Sequence, residues 1–447
     1  MTNISIKNNL ANWNKTKELY TDWVSKTKLN KFFGDHCSFD GFSIWWITNI
    51  CNKDNTVNYK WYYKLKFFLI DKKKIQYNQF FFLVIFFIKF TKNFFVEILF
   101  NILLKIISTT RKSNLKKKNC FYVNINALKK FKNNYVDEIY GVAPIKKNIK
   151  DNFYLIEITK RIKFVINYRN FKQKLDKMKI PYILSNEFIT LIEIINIYLK
   201  TFYFFIKTFI YLKKKNDLFI IKGNNCKNIL EPLLLSSFSG EIQYSLIQAL
   251  AIRNFFKKKN SENFFSYVEF NPLSRSIYFF LKKSNQNIKS IAYQHSYCNE
   301  NVLPFYHRPN EFTSKTKDEG KKFSPSPDLY LVQGKKNKKL FSKYFKKKIF
   351  IIGSLRYDIK NFKKFKKKKN LNKKVLVCPS VGDQDMIIDY INSLKYRKYQ
   401  FILSPHPSEK LKTIRIFKKK LSKDINLEIS NQTTDQNLPL ADIVLCG

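Results

Sequence analysis

Glycine is scarce in this chain, 10 residues of 447, alongside 12 prolines, four histidines and three methionines. Neither a GxxxxGK[ST] phosphate loop nor a GxGxxG turn is present, which excludes P-loop nucleotide hydrolysis and the usual dinucleotide site. The seven cysteines (Cys37, Cys51, Cys120, Cys226, Cys298, Cys378 and Cys446) are an odd set without a CxxC pair. A disulfide framework and a zinc site are therefore both unsupported, and a reducing, cytoplasmic setting fits. No His or Cys pair has ligand spacing and the carboxylates are scattered, so neither a metal nor a cofactor is expected. The polar first thirty residues lack the basic, apolar and small-residue succession of a secretory signal.

Acidic residues are few as well: 33 against 83 basic ones, a formal net charge of +50. Of the basic residues 74 are Lys and nine Arg, and Phe reaches 44. Surface positions drifting to Lys and core positions to Phe and Ile are the imprint of an AT-rich genome, which accounts for most of the charge. The charge still favours contact with anionic lipid. It does not indicate nucleic acid, because no aromatic stacking motif, zinc finger or helix-turn-helix accompanies it.

The 45% apolar composition suffices for a substantial core, and the length favours two or three domains. The aromatic run Phe42 to Trp46 reads as core packing. Phe80 to Ser108 is the most apolar stretch, with Lys89, Asn93, Glu97, Asn101 and Lys105 recurring every fourth position. On a helix these form one polar stripe against a broad Phe, Leu and Ile face. A membrane span would place Lys89, Lys92 and Glu97 in hydrocarbon at about 3 kcal/mol each. An interfacial helix or an ordinary core helix avoids that cost, and Leu191 to Leu212 repeats the pattern.

From about Asp217 short apolar runs alternate with helical patterns: Leu218 to Ile221, Phe264 to Val268, Ile288 to Tyr293, Leu329 to Val332, Ile349 to Ile352, Val375 to Val377, Phe401 to Leu403 and Ile443 to Leu445. Alternation of this kind predicts parallel, doubly wound sheets with ligands at the carboxyl ends of the strands. Polar residues gather directly after several runs. Glu269, Asn271, Pro272 and Arg275 follow the second, and Gln294-His295 the third. Gly353-Ser354-Leu355-Arg356 follows Ile352, Pro379-Ser380 follows the strand ending at Val377, and Ser404-Pro405-His406-Pro407-Ser408-Glu409 follows Leu403. Arg275, Arg308 and Arg356 stand out in a lysine-dominated chain because only Arg offers a planar fork for phosphate. A structural pairing of Glu269 with Arg275 and a loop-anchoring His295 are the plain alternatives.

Taken in order, these residues, with Pro325-Ser326-Pro327-Asp328, Gly334-Lys335 and Ala441 to Leu445, resemble the GT-B glycosyltransferases of surface carbohydrate biosynthesis. More distantly they are similar to polyglycerol-phosphate transferases and to bacterial sialyltransferases with a His-Pro motif. The resemblance covers roughly the last 180 residues. It implies an α/β chain of two Rossmann-like lobes, with residues 1–334 as the acceptor lobe, carrying amphipathic helical insertions at 80–108 and 191–212, and 335–447 as the nucleotide-sugar lobe. The Ser-rich donor loop of the family would follow Gly447, so the second lobe reads as incomplete and activity of the chain as doubtful. By the resemblance Glu269 and His295 are the catalytic candidates, Glu269 ranking as base and His295 as sugar or phosphate contact, with the reverse open. Arg356, Ser354, Ser380, His406, Ser408 and Glu409 are the donor-binding candidates. The function implied is sugar transfer from a nucleotide-activated donor to a surface glycan or lipid-linked acceptor, with peripheral contact at the inner face of an anionic membrane. A CDP-polyol phosphotransferase and an inactive membrane-surface scaffold are the alternatives.

Overall fold

The computed structural model describes residues 3–52, 78–107, 118–131, 133–146, 149–215, 217–259, 261–267, 272–295, 307, 311–313, 319–355, 373–379, 384–394, 399–405, 410–432 and 434–446. The chain forms two compact units, one of Trp13–Asp358 and one of Ile359–Gly447 with Met1–Asn12.

The first unit is built on seven parallel strands: β1 (Asn119–Asn124), β2 (Asn152–Glu157), β3 (Tyr182–Leu184), β4 (Asn263–Tyr267), β5 (Lys289–Tyr293), β6 (Leu329–Val332) and β7 (Lys348–Ile351). Their spatial order is β3-β2-β1-β4-β5-β6-β7. The chain therefore winds outward from β1 in one direction, returns, and winds outward from β4 in the other. That reversal defines a doubly wound Rossmann-like sheet with its switch point between β1 and β4. Every residue of β2 is buried, as expected for a strand covered on both faces.

The helices that position the rest are α1 (Gln79–Ile107), α2 (Arg161–Ile166), α3 (Leu191–Lys214), α4 (Glu241–Lys258), α5 (Pro272–Ser284) and α6 (Lys335–Ser342). Helix α4 is buried along most of its length, and its apolar residues between Leu246 and Phe256 join the largest core cluster together with Trp45 and Ile277. The run Ile44–Ile47 forms a buried 3-10 turn in the same cluster, the core packing expected of it.

The second unit repeats the winding on a smaller scale. Strands β8 (Lys373–Cys378), β9 (Tyr399–Leu403), β10 (Leu427–Ile429) and β11 (Ile443–Cys446) pair in parallel in the order β10-β9-β8-β11. Helices α7 (Gln384–Ser393) and α8 (Lys410–Lys420) connect them. The two Rossmann-like lobes expected from the sequence are thus present.

Three expectations need correction. The units divide at Asp358, not after Gly334, because α6 and β7 follow Gly334 and complete the first sheet. Ile220–Ile221 belongs to a two-stranded antiparallel hairpin with Asn224–Asn225, not to a parallel sheet. The parallel alternation also begins a hundred residues earlier than Asp217, at β1.

The middle of the polar stripe of α1 points inward, while Lys89 and Lys105 at its ends are exposed. Asn93 donates to the Ser239 carbonyl (2.5 Å), Asn101 to the Ile189 carbonyl (3.1 Å), and Glu97 meets Arg161 at 2.6 Å. Helices α1 and α3 pack antiparallel: Phe86 stacks on Phe205, Phe94 meets Tyr198, and Lys213 donates to Gln79. No helix among the described residues is long and apolar enough to cross a membrane.

Candidate functional site

In doubly wound sheets the crevice at the carboxyl ends of the strands beside the switch point is where ligands bind. Here that position holds a cavity of about 420 Å³. Tyr122 and Asn124 of β1, Glu157 of β2, and Ser266 and Tyr267 of β4 line it at the strand ends. Thr159 follows β2, Glu241, Tyr244 and Ser245 come from the start of α4, and Pro272 to Ser274 and Ile277 from α5.

The first βα connection lacks the phosphate-binding geometry of a dinucleotide fold. Instead of a glycine turn opening a helix, β1 runs into a 3-10 turn, Ile125–Ala127, and then an antiparallel hairpin, Leu128–Phe131 with Asn134–Asp137. Asn124 accepts from the Asn126 amide and shapes this turn (2.9 Å). Among the described residues the lining contains two carboxylates, Glu157 and Glu241, aromatic faces and several hydroxyls, and no Lys or Arg. Such a surface suits a neutral, hydroxyl-rich ligand and repels a free anion.

Glu157 is buried. Burial pushes the Tyr122 phenol well above its ordinary 10.0, and the neighbouring Glu157 carboxylate pushes it further, with Arg161 opposing. Tyr122 therefore remains a neutral donor at physiological pH. On the other flank the Tyr267 hydroxyl donates to Asp137, whose other oxygen accepts the Ile139 and Tyr140 amides at 2.9 Å each.

A second cavity of about 520 Å³ adjoins the first, and both are lined by Thr159, Glu241 and Tyr244. Its other walls come from α1 (Lys89, Asn93, Val96, Glu97) and the start of α2 (Lys160 to Lys163). Gly240 also lines it. At φ +149° Gly240 has a backbone few other residues adopt, and a Cβ there would meet the Asn93 amide at 2.4 Å, so glycine lets α1 close on α4. Arg161 lies over the rings of Tyr244 (4.9 Å) and Phe100 (5.5 Å). Burial raises the Glu97 carboxyl above its ordinary value, against the opposing pull of Arg161.

Of the sequence candidates, His295 and Ser354 fall among the described residues. His295 follows β5 at the carboxyl edge of the first sheet, with its ring 5.4 Å from that of Tyr267 and its carbonyl accepting from Gln333 (3.1 Å). It sits one residue away from the switch-point cavity and also anchors its loop. Ser354 follows β7 in the first unit, not in the second lobe where the donor was expected. Next to it, the Leu355 amide donates to the Tyr293 hydroxyl at 2.8 Å. The Ser354 hydroxyl is buried with no hydrogen-bond partner among the described residues. Glu269, Arg356, Ser380, His406, Ser408 and Glu409 lie outside the described residues.

Arg275 is only 2% exposed and is held by Glu311 (3.3 Å), the Cys51 sulfur (2.8 Å) and the Trp46 carbonyl (3.4 Å). It is a core cation and not a phosphate fork. Glu157, Glu241, Tyr122 and Tyr244 were not singled out from the sequence. The signal that could have found Glu157 is an acid directly ending the run Phe153 to Ile156. Among the described residues no group of three His, Cys, Asp or Glu side chains could hold a metal ion.

The fold and site thus define a two-lobed α/β protein with a switch-point ligand crevice in its larger lobe. No protein-family model matches the chain, and no curated protein sequence matches it significantly. Among solved structures it is similar to a protein described as a UDP-N-acetylglucosamine 2-epimerase from Listeria monocytogenes, at 10% identity and TM-score 0.36 over 74% of each chain. It is also similar to CalG4, the calicheamicin glycosyltransferase (9% identity, TM-score 0.37, 74% of this chain and 75% of that one). A third is the glycotransferase of kitacinnamycin (10%, 0.33, 74% and 76%). The strand order of the two sheets, independently of these likenesses, defines the class.

Proposed function

We propose that the chain is a glycosyltransferase of the two-lobed GT-B type, which seats its acceptor in the switch-point crevice of the first lobe. The observation that carries this reading is the crevice itself: carboxylates, hydroxyls and aromatic faces, without a cation among the described residues, beside β1 and β4 of a doubly wound sheet. The second lobe repeats the winding and, by the sequence resemblance, carries the nucleotide-activated sugar. Ser380, His406, Ser408 and Glu409, which follow β8 and β9 in the sequence, are the proposed donor contacts there, with Arg356 and Ser354 as further phosphate or sugar ligands.

Transfer requires a base to take the proton of the acceptor hydroxyl as its oxygen bonds to the anomeric carbon and the nucleotide phosphate leaves. Glu157 is our choice for that base, since it is the buried carboxylate of the crevice. Glu269 is the alternative base, and His295, beside Tyr267, is a sugar or phosphate contact. The acceptor class is a glycan or a lipid-linked glycan at the inner face of the membrane, with peripheral contact to anionic lipid.

Thermal unfolding in the presence of UDP-, GDP- and CMP-linked sugars tests the reading. One of these donors at a hundredfold excess over its Kd should stabilise the protein by about 2.7 kcal/mol. His406→Ala should abolish the effect, whereas Glu157→Gln should not. Absence of stabilisation by every donor would overturn the assignment.

A further inference from the structure

Helix α1 buries Phe86, Phe100 and Leu104 together with polar Glu97 and Asn101, yet also leaves a row of large apolar side chains in solvent. Its polar residues Asn93, Glu97 and Asn101 bind the interior, while Phe81, Val84, Ile88, Phe95, Leu99, Ile102 and Ile106 form one exposed stripe at helical spacing. Antiparallel α3 exposes a second stripe, from Ile192 through Leu199 and Tyr203 to Ile210. Phe95 is 62% exposed and Ile192 79%. Contiguous apolar surface of this extent marks an interaction site. Lys89, Lys92 and Lys105 on α1 and Lys200, Lys213 and Lys214 on α3 are exposed along the same two helices. Apolar stripes interleaved with cations complement an anionic bilayer surface.

The second cavity opens between that helix and the crevice. Lys89, Lys160 and Lys163 line it, with Arg161 buried at its wall. Arg161 is 6% exposed, its Nε lies 2.6 Å from Glu97, and its Nη2 is buried with no hydrogen-bond partner among the described residues. Glu97 and Glu241 line the same cavity, so four cations face two carboxylates and the balance stays positive. Glu97 holds the Nε side of Arg161, and the phosphate oxygens that Arg prefers suit the Nη2 edge that it leaves over. The Tyr244 hydroxyl, on the wall common to both cavities, is likewise buried without a partner.

We propose that the acceptor is a lipid phosphate drawn from the bilayer: its phosphate occupies the cationic cavity, its chain lies along the apolar stripes of α1 and α3, and its glycan enters the crevice at Glu157. The proposal rests on the acceptor reading above. It orders three adjoining surfaces by the chemistry each prefers, apolar on α1, cationic at Arg161, hydroxyl-binding at Glu157.

The test uses the full chain with vesicles of phosphatidylcholine alone and of phosphatidylcholine containing phosphatidic acid, with binding read by flotation. The parent should bind the phosphatidic acid vesicles at least tenfold more tightly. Phe95→Glu with Leu99→Glu, and separately Lys160→Glu with Lys163→Glu, should each lower that affinity roughly tenfold or more. All four positions are exposed, so melting temperatures should not move. Lys418→Glu with Lys419→Glu, on the second unit, is the control for diffuse charge. Inorganic phosphate at millimolar concentration should compete weakly, since it lacks the chain; full competition would mean a free-phosphate site and overturn the bilayer source. Equal vesicle binding by the parent and both first-unit variants, or an equal loss in the control, would overturn the proposal. Donor-induced stabilisation is measured separately, so failure here leaves the transferase reading intact and identifies which of the two is wrong.

Discussion

Two buried arginines of the first lobe show how different a guanidinium can be when its partners differ. Arg275 is closed by Glu311, Cys51 and the Trp46 carbonyl, so its replacement by Ala leaves the Glu311 carboxylate underpaired in the core. Unfolding in urea should register a loss of about 3 kcal/mol. Arg161 keeps an Nη2 without a partner among the described residues, which fits the binding role proposed for it. Asp328 gives a pH-dependent prediction. Burial alone would raise its carboxyl, but Lys282 at 3.1 Å and the Ser290 amide and hydroxyl outweigh it and hold it below the ordinary 3.8. A lowered native value means the stabilisation is present above pH 3.8 and fades as pH falls through that lower value. Urea midpoints of the parent and Asp328→Asn should therefore differ most at pH 6, and the difference should shrink as pH falls below 3.8. At this scale the sequence was only partly legible. Arg275 looked like a phosphate ligand because its type is rare in the chain, and rarity carries no information about burial. The crevice acid Glu157 was missed because it ends a strand that had not been recognised.

At the scale of elements, β4 to β9 and β11 could be read from the sequence, since each is a short apolar run bounded by polar residues. The strands β1 to β3 could not. Asn119-Cys120-Phe121-Tyr122-Val123-Asn124 begins and ends on Asn, β3 has only three residues, and the surrounding chain is so rich in Phe, Tyr and Ile that a strand hardly differs from its flanks. Helix α1 was located correctly, but the side its polar stripe faces stayed open between an interfacial and a core helix, because periodicity fixes which residues share a face and not where that face points. Helix α3 begins with a reciprocal cap: the Thr190 hydroxyl accepts the Glu193 amide (3.2 Å) and Glu193 accepts the Thr190 amide (2.9 Å). Glu193 also accepts from Asn254 of α4 (2.8 Å). Thr190→Ala should cost about 1 kcal/mol, and Glu193→Ala should cost more, because it also unties α4. Thermal melts of the two single variants check the order.

For the molecule as a whole, the net charge of +50 was best explained by composition, and the structure adds that, among the described residues, cations line one cavity and not the other. Parallel sheets were legible as strand and helix alternation from β4 onward, whereas the first half of the larger sheet and with it the position of the switch-point crevice were not, since that position depends on where β1 meets β4. The central claim is that Glu157 acts on a hydroxyl acceptor while the nucleotide sugar is held elsewhere. The most direct measurement is release of free nucleotide from a stabilising nucleotide sugar, in the presence of membrane lipid extract, by the parent and by Glu157→Gln. The account predicts turnover in the parent, a fall of roughly a hundredfold or more in the variant, and unchanged donor-induced stabilisation in both. Equal turnover by the two proteins would contradict it.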